Sequence, residues 1–87
     1  MDSVKERVKK AIPLEELLRR DGIKLIPSGS GKFMANCPFH DDANPSLSVD
    51  TVKQLWHCFG CNEGGDIFSY VMKRQNLDFK SALEYLT

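Results

Sequence analysis

Cys37-Pro38-Phe39-His40 and Cys58-Phe59-Gly60-Cys61 are two ligand pairs of x2 spacing, separated by seventeen residues. A pair at this spacing curls into a tight knuckle whose side chains converge on one ion, and a second knuckle completes a tetrahedron. All three cysteines of the chain are used in this way. Read as a disulfide framework, the same three thiols would leave one unpaired, so the spacing points to zinc in a reducing setting. Four protein ligands, Cys37, His40, Cys58 and Cys61, leave no position open for water or substrate. The site is therefore expected to hold one structural Zn2+ rather than a catalytic one.

An 87-residue chain with 41% hydrophobic residues has little apolar core to stabilise it. Structural zinc contributes on the order of 10–16 kcal/mol near neutral pH, more than the net stability of most small domains. Twelve basic and twelve acidic residues give a formal charge of zero, so nucleic-acid binding has to come from a local patch rather than a global positive field. No apolar run reaches the ~20 residues that span a bilayer, and the first residues lack a signal peptide's apolar stretch. The expectation is a soluble, cytoplasmic protein with no membrane partner.

Ser3 is expected to cap a first helix, with Glu6 in the capping-box position. Pro13 suits the first turn of a second helix, with Leu14, Leu17 and Leu18 on its inner face and Gly22 as its stop. Ile23–Ile26 reads as a strand, Ser28–Gly31 as a turn, and Lys32–Ala35 as a returning strand. Ser46–Val49 and Leu55–His57 alternate as two more strands on either side of a turn at Asp50-Thr51. Asp66 caps a helix with Ile67, Phe68, Val71 and Met72 on one face and Asn76 at its end. Asp78 caps a last helix with Ala82, Leu83 and Leu86 inward. The fold class is thus α+β: a zinc ribbon, a small antiparallel sheet flanked by short helices. The chain is expected to form a single domain over 1–87, with a helical N-terminus (3–21), the ribbon (23–61) and C-terminal helices (66–87).

Cys37-Pro-Phe-His40, Asn44-Pro-Ser-Leu-Ser48, Lys53-Gln54, His57-Cys-Phe-Gly-Cys61 and Gly64-Gly-Asp66 together resemble the N-terminal zinc-binding domain of bacterial DnaG-type DNA primases. The resemblance covers nearly the whole chain, including the trailing Leu77-Asp-Phe-Lys-Ser-Ala-Leu83. It implies a zinc ribbon that engages single-stranded template DNA and helps select the primer initiation site, while a separate Toprim-type core joins ribonucleotides. That core is absent from these 87 residues. The partners implied are single-stranded DNA, a primase catalytic core in cis or a polymerase in trans, and a replicative helicase, in a bacterial, phage or mobile-element setting. By the same resemblance Cys37, His40, Cys58 and Cys61 are the zinc ligands and His57 is not.

Binding an unpaired strand requires cations for phosphates beside flat rings for bases. Lys24, Lys32, Phe33, Lys53, Gln54, Trp56 and His57 are the candidates. Trp56 has packing in the core as its alternative, and Lys5, Arg7, Lys9 and Lys10 read as a solvated helix face. The neutral net charge and the acidic Asp41-Asp42 loop argue for a second function class, a zinc-dependent adaptor docking onto a polymerase or helicase.

Overall fold

The computed structural model describes residues 4–39 and 45–87. Its elements follow one another as α1 (Val4–Ala11), α2 (Leu14–Arg20), β1 (Ile26–Gly29), β2 (Lys32–Ala35), β3 (Leu47–Asp50), β4 (Leu55–Cys58), β5 (Glu63–Gly65), α3 (Ile67–Gln75) and α4 (Phe79–Leu86). The five strands form one antiparallel sheet in sequence order, β1-β2-β3-β4-β5. Every strand therefore pairs with its chain neighbours, so each pairing closes a short stretch of chain.

Side chains alternate along a strand, so the register sorts the sheet into two faces. Phe33, Val49, Trp56 and Gly65 lie in one row, and Ala35, Leu47, Cys58 and Glu63 in the next row of the same face. Of these, Ala35, Leu47, Val49, Trp56 and Cys58 are buried, together with Val8, Leu14, Leu17 and Leu18 of the N-terminal helices and Ile67, Phe68, Tyr70, Val71, Ala82 and Leu86 of the C-terminal ones. The opposite face carries the rows Met34, Ser48, His57, Gly64 and Lys32, Asp50, Leu55, and none of its residues is buried.

The helix ends have identifiable causes. Pro13 stands one position before α2, in extended conformation at its N-cap, rather than inside the first turn. Its pyrrolidine side chain cannot cap, and the first backbone N–H of α2, that of Leu14, is instead accepted by the Gln54 side chain at 2.6 Å. At the other end Gly22 adopts φ +83°. Its N–H reaches Arg19 at 2.9 Å and that of Ile23 reaches Leu18 at 3.0 Å, the two bonds of a Schellman stop. Asp66 caps α3 by accepting from Phe68 and Ser69 N–H. Asn76 ends it in the left-handed region, and Asp78 caps α4 through Ser81 N–H. Ser3, the expected cap of α1, lies outside the described residues.

Two elements differ from the sequence reading. Residues 23–25 are irregular and the first strand begins at Ile26, running through Pro27 and Ser28, with the turn confined to Ser30-Gly31. Ile23 and Leu25 alternate inward against the core without pairing to a strand, and Pro27 is tolerated because β1 is a sheet edge. The strand β5 (Glu63–Gly65) has no counterpart among the expected elements. A Cβ on Gly64 would lie 2.6 Å from the Trp56 carbonyl oxygen, and one on Gly65 would run into the Ser69 side chain. Glycine there permits β5 to lie against β4 while α3 starts two residues later.

Candidate metal centre and the open sheet face

The strands β2 and β4 deliver the cysteines to one end of the sheet. Cys37 follows the last residue of β2 by two positions and so stays on the inner face, and Cys58 is the last residue of β4 on that same face. The chain then turns through Phe59-Gly60 to bring Cys61 back. At the end of this turn Asn62, not Gly60, takes the left-handed conformation (φ 58°). The sulfurs of Cys37, Cys58 and Cys61 lie within 4.8 Å of one another, and they form the candidate metal cluster found among the described residues. Cys37 and Cys58 are buried and Cys61 half-buried.

Each knuckle points a backbone N–H at its first sulfur: Phe39 donates to Cys37 Sγ at 3.4 Å and Cys61 to Cys58 Sγ at 3.3 Å. Such donors spread thiolate charge. Without metal, burial pushes the Cys37 thiol up. Cys61 is pushed up to about 12, first by desolvation and then by the sulfurs of Cys37 and Cys58. Metal uptake at neutral pH therefore displaces protons, and affinity rises with pH.

The donor set fits zinc. A tetrahedral ion with Zn–S near 2.3 Å needs its sulfurs about 3.8 Å apart, and Cys37 Sγ and Cys61 Sγ stand 3.5 Å apart. His40 lies outside the described residues. The neighbouring His57 is on the opposite face of β4 from Cys58 and is not part of the cluster.

A family model described as CHC2 zinc finger matches residues 1–87. The chain belongs to that family. Among its relatives, a DNA primase of Deinococcus radiodurans is 44% identical over 64 residues, covering 74% of this chain and 11% of the relative. A DNA primase of Streptomyces coelicolor is 40% identical over 79 residues, 91% of this chain and 12% of the relative. The crystal structure of Aquifex aeolicus primase, comprising zinc-binding and RNA polymerase domains, superposes with a TM-score of 0.85 and 30% identity over 99% of this chain and 21% of that one. The chain thus spans little more than a tenth of the length of the curated relatives. It is a zinc-binding domain of the DNA primase type, with zinc as its cofactor, and its α+β ribbon architecture is the one expected from the sequence.

Around this zinc finger the residues expected to meet DNA are distributed unevenly. Lys32 and His57 lie on the open face, and exposed Lys53 stands in the β3–β4 turn beside it. A groove of about 580 Å3 on this side is lined by Ser48, Asp50, Lys53, Leu55, His57 and Gly64 among others. Lys24 is exposed in the irregular segment before β1. Phe33 alternates to the inner face, half-buried, with the Arg19 guanidinium 5.8 Å from its ring centroid.

Trp56 is also on the inner face, 4% exposed. Its Nε1 donates to the Asp66 carbonyl at 2.9 Å and its ring packs 5.4 Å from that of Phe39, so it offers a base almost no surface. Gln54 is held inside the protein: its amide oxygen caps α2, and its Nε2 donates to Glu15 Oε1 and the Thr51 carbonyl, each at 2.8 Å.

Phe59 escaped the sequence reading. It is 68% exposed and meets His57 edge-on at 4.7 Å between centroids. The available signal was its place between two ligands of one knuckle, a turn that points outward. Lys73 and Glu63 were missed as well: they form an ion pair beside the metal centre. The Lys73 ammonium holds its proton more firmly than usual, first through Glu63 and further through the sulfurs of Cys61 and Cys37.

Among the described residues no helix is long and apolar enough to cross a membrane.

Proposed function

We propose that this chain is the template-recognition module of a DNA primase or primase-like replication protein, binding single-stranded DNA and helping to select the primer initiation site. Its partner would be a primase catalytic core in cis or a polymerase in trans, with a replicative helicase nearby. In this reading Cys37, Cys58 and Cys61 hold one zinc with His40 as fourth ligand. The observation that supports it is the open sheet face: a His57–Phe59 ring pair at the metal end of β4, with Lys32 on the same face and Lys53 in the β3–β4 turn at its other end. Rings give bases a surface to stack on, and ammonium groups meet the phosphates. The modest number of cations fits weak, salt-sensitive binding that a second domain reinforces.

Fluorescence anisotropy of short labelled single-stranded DNAs, titrated with the zinc-loaded chain at several salt concentrations, tests this. Saturable, salt-dependent binding with a sequence preference is expected, weakened by His57→Ala or Phe59→Ala while zinc content stays the same. Base stacking of this kind contributes about 1–3 kcal/mol per base. A folded, zinc-loaded chain that binds no DNA at low salt overturns the reading.

One observation favours an adaptor instead. Ile26 and Leu55, each 43% exposed, lie on the same open face, and Val52, 81% exposed, tips the adjoining turn. These apolar groups suit a protein partner such as a polymerase or helicase.

A further inference from the structure

Asp50 lies on the open face between Lys32 of β2 and Leu55 of β4, where a carboxylate opposes the phosphates of a nucleic-acid strand. Part of its role is local. Oδ1 accepts the backbone N–H groups of Val52 and Lys53, both at 3.0 Å, and so fixes the β3–β4 turn. An asparagine would serve that turn as well, without the charge. Oδ2 has no hydrogen-bond partner among the described residues. The N–H of Lys53, and then that of Val52 and the ammonium groups of Lys32 and Lys53, hold the carboxyl below the usual carboxylate range, so at neutral pH this oxygen only accepts. Asp50 also shares its groove with Ser48 and His57. His57 pairs with Ser48, two residues before Asp50, which makes Asp50 and His57 diagonal neighbours on one face, roughly 7–8 Å apart. A base lying on the His57 ring can turn its edge to the carboxylate.

We propose that Asp50 is a specificity-determining residue of the open face, its second carboxylate oxygen accepting from the exocyclic amino group of one template base. The proposal rests on that face binding single-stranded DNA. With Oδ1 engaged twice by the turn, a single acceptor remains, which suits the N4 amino group of cytosine and rejects the O4 carbonyl of thymine or uracil. Lys32 and Lys53 meet the phosphates nearby, and the carboxylate weakens every complex except the one that presents an amino group.

The test measures fluorescence anisotropy of labelled oligothymidylates carrying one central deoxycytidine or deoxyuridine, which present an amino group and a carbonyl at the same ring position. The zinc-loaded parent is expected to bind the cytosine strand about tenfold more tightly, within the cost of one wrong base at a specific interface. Asp50→Asn keeps an oxygen for the turn and adds an amide that donates. It is expected to lose or invert the preference, with zinc content and melting temperature at the parent's values. Asp50→Ser, whose hydroxyl also serves the turn, is expected to lose the preference too. A parent that binds both strands equally overturns the proposal alone. So do variants that bind both strands more tightly and keep the parent's preference, the mark of a charge that only repels. A folded, zinc-loaded parent that binds neither strand at low salt overturns the template-recognition reading and this proposal with it.

Discussion

The two faces of the sheet are made from the same strands and differ by one residue of phase. On the inner face Ala35, Leu47, Val49, Trp56 and Cys58 are all buried, and four helices close over them. On the outer face Lys32 and Leu55 are exposed, and Met34, Ser48 and His57 only half-buried. The inner face carries the folding free energy and two of the thiols. The outer face is left without a structural task, so its rings and ammonium groups are available to a partner. Burial thus separates the residues that hold the protein together from those free to act, within single strands such as Trp56-His57.

The sharpest way to break this contrast is at Cys58, where core and metal centre coincide. Cys58→Ser is expected to abolish tight zinc binding and cooperative unfolding together, seen as zinc stoichiometry and a thermal melt. A zinc-loaded variant with a normal melt would contradict the site. Trp56→Ala is expected next, costing about 3–5 kcal/mol in urea unfolding of the zinc-loaded chain, as for other buried aromatics.

Tyr70 supports the inner face from behind, donating from its hydroxyl to Asp21 Oδ2 at 2.6 Å. Burial, and then Asp21, raise its pKa well above the usual tyrosine value. The folded state therefore binds this proton more tightly than the unfolded chain. The contribution is complete below about pH 10, the unfolded value, and is lost as pH rises through the higher folded one. Tyr70→Phe is expected to cost about 1–2 kcal/mol at neutral pH and to flatten the alkaline limb of a stability-against-pH curve. The smallest change is expected on the outer face: His57→Ala and Phe59→Ala should alter unfolding free energy by no more than about 0.5 kcal/mol. A large loss there would mean that the outer face is structural after all.

The convergence of Cys37, Cys58 and Cys61 was the most legible part of the sequence, because x2 spacing fixes a local turn that tertiary context has little power to change. Helix ends were legible for the same reason: Gly22, Asp66, Asn76 and Asp78 act through their own backbone neighbours. What failed was anything decided across the chain. Ile23 and Leu25 alternate like a strand, but the pairing partner for β2 begins at Ile26, so periodicity alone misplaced β1. The glycines of β5 carry no side-chain pattern to read. Trp56 and His57 were equally plausible as the exposed ring, since alternation says that neighbours face apart and not which one faces in. Gln54 beside Lys53 resembled a polar surface pair, and its real partner, the start of α2, lies forty positions away.

That last contact bears on the order in which the chain assembles. A seven-residue helix such as α2 is too short to persist by itself in water, and here its leading amide waits for a side chain from the far end of the β3–β4 hairpin. The meander can zip up through neighbouring pairings first, with α2 docking once Gln54 has been carried into place. Kinetically, α2 is expected to settle after the β3–β4 hairpin, so a chain emerging from the ribosome must expose Gln54 before the helix forty positions ahead of it can dock.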